Sequence, residues 1–187
     1  MSSADDLALA RLAAQGDRDA FGEIVRRHQS AVFNAAWRVL GNVHEAEDAA
    51  QETFIRAYQF FDRFDPDRPL GPWLRRIAVN VCLNRLEARK PASSLDEDLV
   101  AAPDAGPGPE AQTAHRELGQ RIRSEMLKLP PRQRAVIELR HFQELSYEEI
   151  AEALGRPLSD VKSDLFRARK TLAERLKDLR HDRAFER

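Results

Sequence analysis

Cysteine is nearly missing from this chain. The one present, Cys82, excludes an intrachain disulfide and a cysteine-rich zinc site, and it points to a reducing compartment. Alone among helical residues, it reads as a small buried apolar side chain. Long apolar runs are missing too: none approaches the roughly 20 residues that span a bilayer. The start, Met1-Ser2-Ser3-Ala4-Asp5-Asp6, has neither a basic opening nor an apolar stretch, so no secretory signal is expected. Glycine is scarce, 8 of 187, which disfavours a dinucleotide fold built on glycine-rich turns. Period-two alternation is absent over any useful length, so strands are not expected. The expectation is a cytoplasmic protein with no membrane insertion.

Charge is plentiful, at 33% of residues, and it is unevenly laid out. Residues 1–90 are net neutral, residues 91–115 carry five acids and no Lys or Arg, and residues 116–187 have an excess of four basic groups. The middle segment also holds Pro91, Pro103, Pro107 and Pro109 with Gly106 and Gly108. Such a composition buries too little surface to offset ordering entropy. The expected organisation is therefore all-α, with two small helical domains, 1–90 and 116–187, joined by a flexible acidic linker at 91–115. A surface loop within a single domain is the competing reading of that segment.

In the first domain a short helix is expected near Leu7–Ala14. A second carries Phe21, Ile24, Val25, His28, Val32, Ala36, Val39 and Leu40 at helical spacing, with Asp17 as N-cap and Gly41-Asn42 as its stop. A third runs from about Val43 to Phe61, with Ala46, Ala50, Phe54, Tyr58 and Phe61 on one face. Phe64 to Pro72 reads as a loop. A fourth helix starts near Pro72, with Trp73, Leu74, Ile77, Val81 and Leu86 as its apolar face. The second domain has four helical stretches, about His115–Leu129, Pro131–Phe142, Ser146–Leu154 and Ser159–Leu179.

Three regions carry candidate chemistry. On the third helix Asp48, Gln51 and Glu52 sit three and four residues apart and share a face. That face suits docking of a basic protein surface; a merely solvated helix face is the alternative. Acid–base or metal chemistry would need partner motifs that the chain lacks, so no catalytic residue, metal or cofactor is expected.

In the second region, Phe64 to Lys90 interleaves Trp73, Asn80 and Asn84 with Arg75, Arg76, Arg85, Arg89 and Lys90. Stacking aromatics among cations suit single-stranded DNA. Burial of Phe64 and Trp73 in the core is the competing reading.

The third region is Ser146-Tyr147-Glu148-Glu149, a capping box. It opens a helix with Ile150, Ala151 and Leu154, ended at Gly155. The next helix buries Val161, Leu165, Ala168, Leu172 and Leu176 and shows Lys162, Ser163, Phe166, Arg167, Arg169 and Lys170. That is the layout of a helix-turn-helix whose second helix enters a major groove; a plain helical hairpin is the alternative. Asp160 and Asp164 also fall on the presumed DNA side, where carboxylates repel phosphate.

Taken together, these stretches resemble the extracytoplasmic-function sigma factors, group IV of the sigma-70 family. The likeness lies in Gln15-Gly16-Asp17 through Phe21, in Glu45 to Phe54, in Trp73 to Asn80, and in Leu129-Pro130 through Ile150-Ala151 to Val161-Lys162-Ser163 and Phe166 to Arg169. The resemblance implies an initiation factor that binds core RNA polymerase, recognises −10 and −35 promoter elements and aids melting. A stand-alone helix-turn-helix regulator is the rival. Asp48, Gln51 and Glu52 would bind the β′ clamp helices. Phe64, Trp73, Arg75, Arg76 and Asn80 would handle the −10 element, with a base flipped into the 64–72 loop. Arg140, Lys162, Ser163, Phe166 and Arg167 would contact the −35 element. The resemblance also implies the β flap as a further polymerase contact, an RNA exit channel threaded by the acidic linker, and an anti-sigma partner. Ser159-Asp160, Asp164, Asn84 and Phe60-Phe61 depart from the family pattern, so altered −35 and −10 preferences are expected.

Overall fold

The computed structural model describes residues 3–66, 68–88 and 111–177. The proline-rich part of the connector, Arg89, Lys90 and the last ten residues lie outside these, as do the expectations placed on them. The described residues are helical and contain no strand, and the chain divides into two units, Met1–Asp98 and Leu99–Arg187.

Among its described residues unit one has four α-helices: α1 (Ser3–Ala14), α2 (Arg18–Leu40), α3 (Val43–Gln59) and α4 (Leu70–Ala88). Their ends follow local chemistry. The Asp17 carboxylate accepts from the Asp19 and Ala20 amides and caps α2. Gly41 closes α2 at φ 81°, a left-handed conformation that glycine adopts without strain. One residue on, the Asn42 side chain accepts from Glu45 N and starts α3. Pro72 sits in the first turn of α4, where its missing N–H has no intrahelical partner to lose.

α2 is the central helix and packs on α1, α3 and α4. Ile24, Val32, Leu74 and Ala78 are fully enclosed. Cys82 is buried as expected, with its thiol 3.9 Å from the Ala36 carbonyl oxygen. At one end an aromatic cluster closes the core. Phe61 lies at its centre, edge-on to Phe21 and Trp73 at 5.6 Å each and tilted against Phe64 at the same distance.

Unit two holds α5 (Ala111–Leu127), α6 (Pro131–Ile137), α7 (Tyr147–Leu154) and α8 (Leu158–Arg175). Its core is aliphatic: Val136, Leu139, Ile150, Val161 and Leu165 are enclosed. Arg134 donates to the Leu127 carbonyl at 3.1 Å and ties α6 to the end of α5. The expected capping box is present: Ser146 Oγ accepts from Glu149 N at 3.1 Å, and the Glu149 carboxylate accepts from Ser146 N at 2.7 Å.

Several expectations need correction. α1 begins at Ser3, and α4 begins two residues before Pro72. α5 begins at Ala111, so residues 111–115 are helical and do not belong to the connector. α3 stops at Gln59, and Phe61 sits in a following 3-10 turn, Phe61–Arg63. Past Ile137 the α6 stretch widens into a π-helical turn, Glu138–Phe142. The faces shift too. Tyr58 is exposed at the rim of the α3 face, edge-on to Phe21 at 5.0 Å. α4 turns Leu70, Leu74, Ala78 and Val81 inward and leaves Trp73, Ile77 and Leu86 half-buried. In α7 the enclosed residues are Ile150 and Ala153.

Candidate protein- and DNA-binding surfaces

On unit one the face of α3 brings Asp48, Gln51 and Glu52 together, but the two carboxylates differ. Asp48 has 67% of its side chain exposed, Glu52 only 29%. Glu52 sits between two arginines: Arg56 one turn along α3 at 2.6 Å, and Arg85 from α4 at 2.7 Å. Burial alone would raise the Glu52 pKa; hydrogen bonding to Arg85 and the charge of Arg56 outweigh it and hold the carboxyl below its ordinary value. Arg85 reaches the Asp48 backbone carbonyl at 3.4 Å and comes only to 3.9 Å of its carboxylate. Asp48 and Gln51 are thus the open polar groups, and exposed Ile55 extends the same face one turn further. Arg85, expected on a DNA-facing surface, belongs here instead.

The −10 candidates separate by depth. Phe64 is a core residue, packed between Phe61 and Trp73 at 5.6 and 5.0 Å. Phe64 thus follows the core reading, and it also lines the cavity beside the loop. Trp73, Arg75, Arg76 and Asn80 are half-buried on α4. Phe60, one of the residues expected to alter −10 preference, is exposed and carries Arg63 over its ring at 5.0 Å. A cavity of about 310 Å3 opens beside the 64–69 loop and the start of α4, facing α1 and His28. Asp6 of α1 lies 3.2 Å from the His28 ring and 3.4 Å from Arg27. Burial pushes the His28 pKa below its ordinary value; Asp6 pulls the other way, and Arg75 and Arg27 add to the lowering.

On unit two α8 exposes Lys162, Ser163, Phe166 and Arg167 together, with Phe166 at 69%. Val161, Leu165 and Ala168 form the opposite, buried face. Arg140 is more constrained than expected. It donates to the Leu145 carbonyl at 2.7 Å and lies over the Tyr147 ring at 5.3 Å, so it braces the π turn against α7. Beside it Arg169 approaches His141 at 3.4 Å and the Tyr147 hydroxyl at 3.5 Å. The two acids on α8 also part ways. Asp164 is paired with Arg156 at 2.7 Å, whereas Asp160 is exposed, accepting from the Ser159 hydroxyl at 3.4 Å and lying 3.9 Å from Arg156.

Long-range pairs such as Glu52 with Arg85 left no signal in the sequence. The Glu52–Arg56 pair was readable from its four-residue spacing.

A Sigma-70 region 2 family model matches residues 24–91, and a Sigma-70 region 4 model matches residues 119–172. The chain is 40% identical over 174 residues to the ECF RNA polymerase sigma factor SigW of Bacillus subtilis (strain 168), covering 88% of this chain and 93% of that one. It is 35% identical over 184 residues to the ECF RNA polymerase sigma-E factor of Escherichia coli (strain K12), covering 93% and 95%. Among solved structures it is similar to CnrH in complex with the cytosolic domain of CnrY, with a TM-score of 0.62 and 31% identity over 93% of this chain and 98% of that one. The fold is also that of the sigma factor RpoE of Bartonella quintana, solved with the anti-sigma factor NepR: TM-score 0.64, 23% identity, 84% of this chain and 96% of that one. The chain therefore belongs to the extracytoplasmic-function sigma factors of the sigma-70 family, the promoter-recognising initiation factors of RNA polymerase.

Proposed function

We propose that the two units divide promoter recognition between them and that the chain does its work by binding, with no chemical step of its own. Unit one docks on core RNA polymerase through the open face of α3. Asp48 is its charged contact, Gln51 its amide, and Glu52 a paired support. The β′ clamp helices are the matching partner, because an exposed acid beside an amide suits a basic helical surface.

The same unit handles the −10 element through the 64–69 loop and α4. Arg75 and Arg76 contact the backbone, and Trp73 and Asn80 line the approach. The cavity beside the loop falls in the size range of small-ligand sites, roughly 300–1,000 Å3, and receives the unstacked base. Unit two reads the −35 element with Lys162, Ser163, Phe166 and Arg167, while Arg140 holds the π turn against α7. The β flap is its polymerase contact. The acidic connector lies in the RNA exit channel. The chain acts in the cytoplasm, where polymerase and promoter are. An anti-sigma protein that covers these surfaces is its regulator, by likeness to the complex of CnrH with the cytosolic domain of CnrY.

The observation that carries this reading is the match of both sigma-70 regions to separate helical units, each with an exposed polar face on one helix. The test is affinity for purified core polymerase. Asp48→Arg is expected to weaken it about tenfold or more, since like charges across an interface cost several kcal/mol. Unchanged core affinity would remove α3 as the docking face. A stand-alone regulator would instead bind its duplex tightly without polymerase.

A further inference from the structure

We infer that the two carboxylates of α8 have separate jobs: Asp160 reads a base edge and selects cytosine at one promoter position, while Arg156 holds Asp164 out of the groove. The inference rests on the assignment of α8 to duplex DNA.

Arg156 occupies the turn between α7 and α8, between Gly155 and Pro157. Its backbone N–H donates to the Ala151 carbonyl at 3.0 Å, closing α7. Its guanidinium reaches forward to α8, where Nη1 lies 2.7 Å from Asp164 Oδ2. Both side chains are largely covered, 18% exposed for Arg156 and 15% for Asp164. A carboxylate neutralised in this way neither repels phosphate nor presents itself to a base. Arg156 is thus a positioning residue. It spans the turn and fixes how α8 leaves it.

Asp160 is different. It lies 3.9 Å from Arg156, at the limit of ion pairing, and 52% of its side chain is exposed. It stands in the first turn of α8, the part of a recognition helix that meets base edges. Asp160, Ser163 and Arg167 follow at i, i+3 and i+7 and share one face. That face points away from buried Val161, Leu165 and Ala168. An ionised carboxylate only accepts hydrogen bonds. In the major groove guanine and thymine turn acceptors toward it and repel it. Adenine sets its N7 acceptor beside its amino group. Cytosine offers its N4 amino group, the usual partner of Asp and Glu. An acid in a first turn also favours the helix dipole, but that effect does not depend on DNA sequence.

The test is competitive binding of reconstituted holoenzyme to duplexes randomised across the −35 element, using the full chain and its variants. Wild type is expected to favour cytosine at one position by about tenfold. Asp160→Ala should flatten that position alone. Asp160→Asn should admit adenine there, because an amide pairs with adenine N6 and N7. Asp164→Asn should keep every base preference and shift affinity for all sequences alike. Thermal melting of each variant identifies loss of fold, and the Asn variants preserve side-chain size. Retention of the full wild-type profile by Asp160→Ala, or a changed profile for Asp164→Asn, would overturn the inference. Lys162→Ala and Arg167→Ala test the underlying assignment separately. If they leave binding unchanged for all sequences, α8 is not the reading helix and the inference falls with it. If they weaken binding generally while Asp160→Ala keeps its profile, only the division of the two acids fails.

Discussion

Set side by side, α3 and α8 handle acidic pairs in the same way in different surroundings. Each carries two carboxylates four residues apart, Asp48 with Glu52 and Asp160 with Asp164. In each pair the second acid is covered and held by an arginine from outside its helix, Arg85 for Glu52 and Arg156 for Asp164. The first is left open, 67% exposed for Asp48 and 52% for Asp160. The difference lies in the surroundings. Asp48 stands beside Gln51 and exposed Ile55, a mixed surface suited to protein. Asp160 stands among Lys162, Ser163 and Arg167, a basic surface suited to phosphate and base edges. Counting acids on a helix therefore says little about its field; which acids are already paired decides it.

The comparison can be strained first at the cores beneath the two faces. Leu74 and Leu165 are both enclosed, one in each unit. Leu74→Ala and Leu165→Ala should each lower the unfolding free energy by about 2–5 kcal/mol, read by denaturant titration. Each should also slacken the face above it, seen as faster hydrogen exchange on α3 or α8. A loss below about 1 kcal/mol at either site would mean a core less tightly packed than described.

A smaller effect is expected where unit two starts its helix-turn-helix. Ser146→Ala removes the acceptor for the Glu149 amide and should cost about 1 kcal/mol. The melting temperature of the full chain measures this.

Smaller still is the arginine clamp on α3. Arg85→Ala leaves Glu52 with Arg56 alone and should cost at most about 1 kcal/mol of stability, because the pair is partly solvated. Its effect on polymerase affinity sharpens the comparison. If Glu52 is a support and Asp48 the contact, Glu52→Gln should weaken docking less than Asp48→Asn does.

The smallest expected effect is on pH dependence. Burial favours neutral His28 in the folded chain, with its pKa below the ordinary 6.5. The unfolded chain then binds the proton more readily. Stability from this group is intact above about pH 6.5 and falls as pH drops through the folded value. His28→Gln should flatten that slope in a stability–pH profile. A slope unchanged by the variant would assign the dependence elsewhere.

Much of this was legible in the sequence because it is local. Caps at Asp17 and Ser146, stops at Gly41 and Gly155, and the first part of the α8 stripe, Val161, Leu165 and Ala168, follow from neighbours a few residues apart; Leu172 and Leu176, expected in that stripe, are only half-buried. Misplaced features depended on distant groups. Phe64 read as a loop aromatic because nothing local shows that Phe61 and Trp73 enclose it. Arg85 read as one more cation in a basic helix because Glu52 lies 33 residues away. Asp164 read as an unpaired charge because Arg156, though near in sequence, meets it only once the turn is formed. The π turn at Glu138–Phe142 keeps helical spacing closely enough that periodicity passes over it.

The most direct measurement is run-off transcription from a promoter library with purified core RNA polymerase, with and without this chain. Transcripts are expected from a subset of promoters that share −10 and −35 sequences, all of them lost with Asp48→Arg. Selective transcription that persists undiminished with Asp48→Arg, or no binding of the wild-type chain to core polymerase, would contradict that expectation.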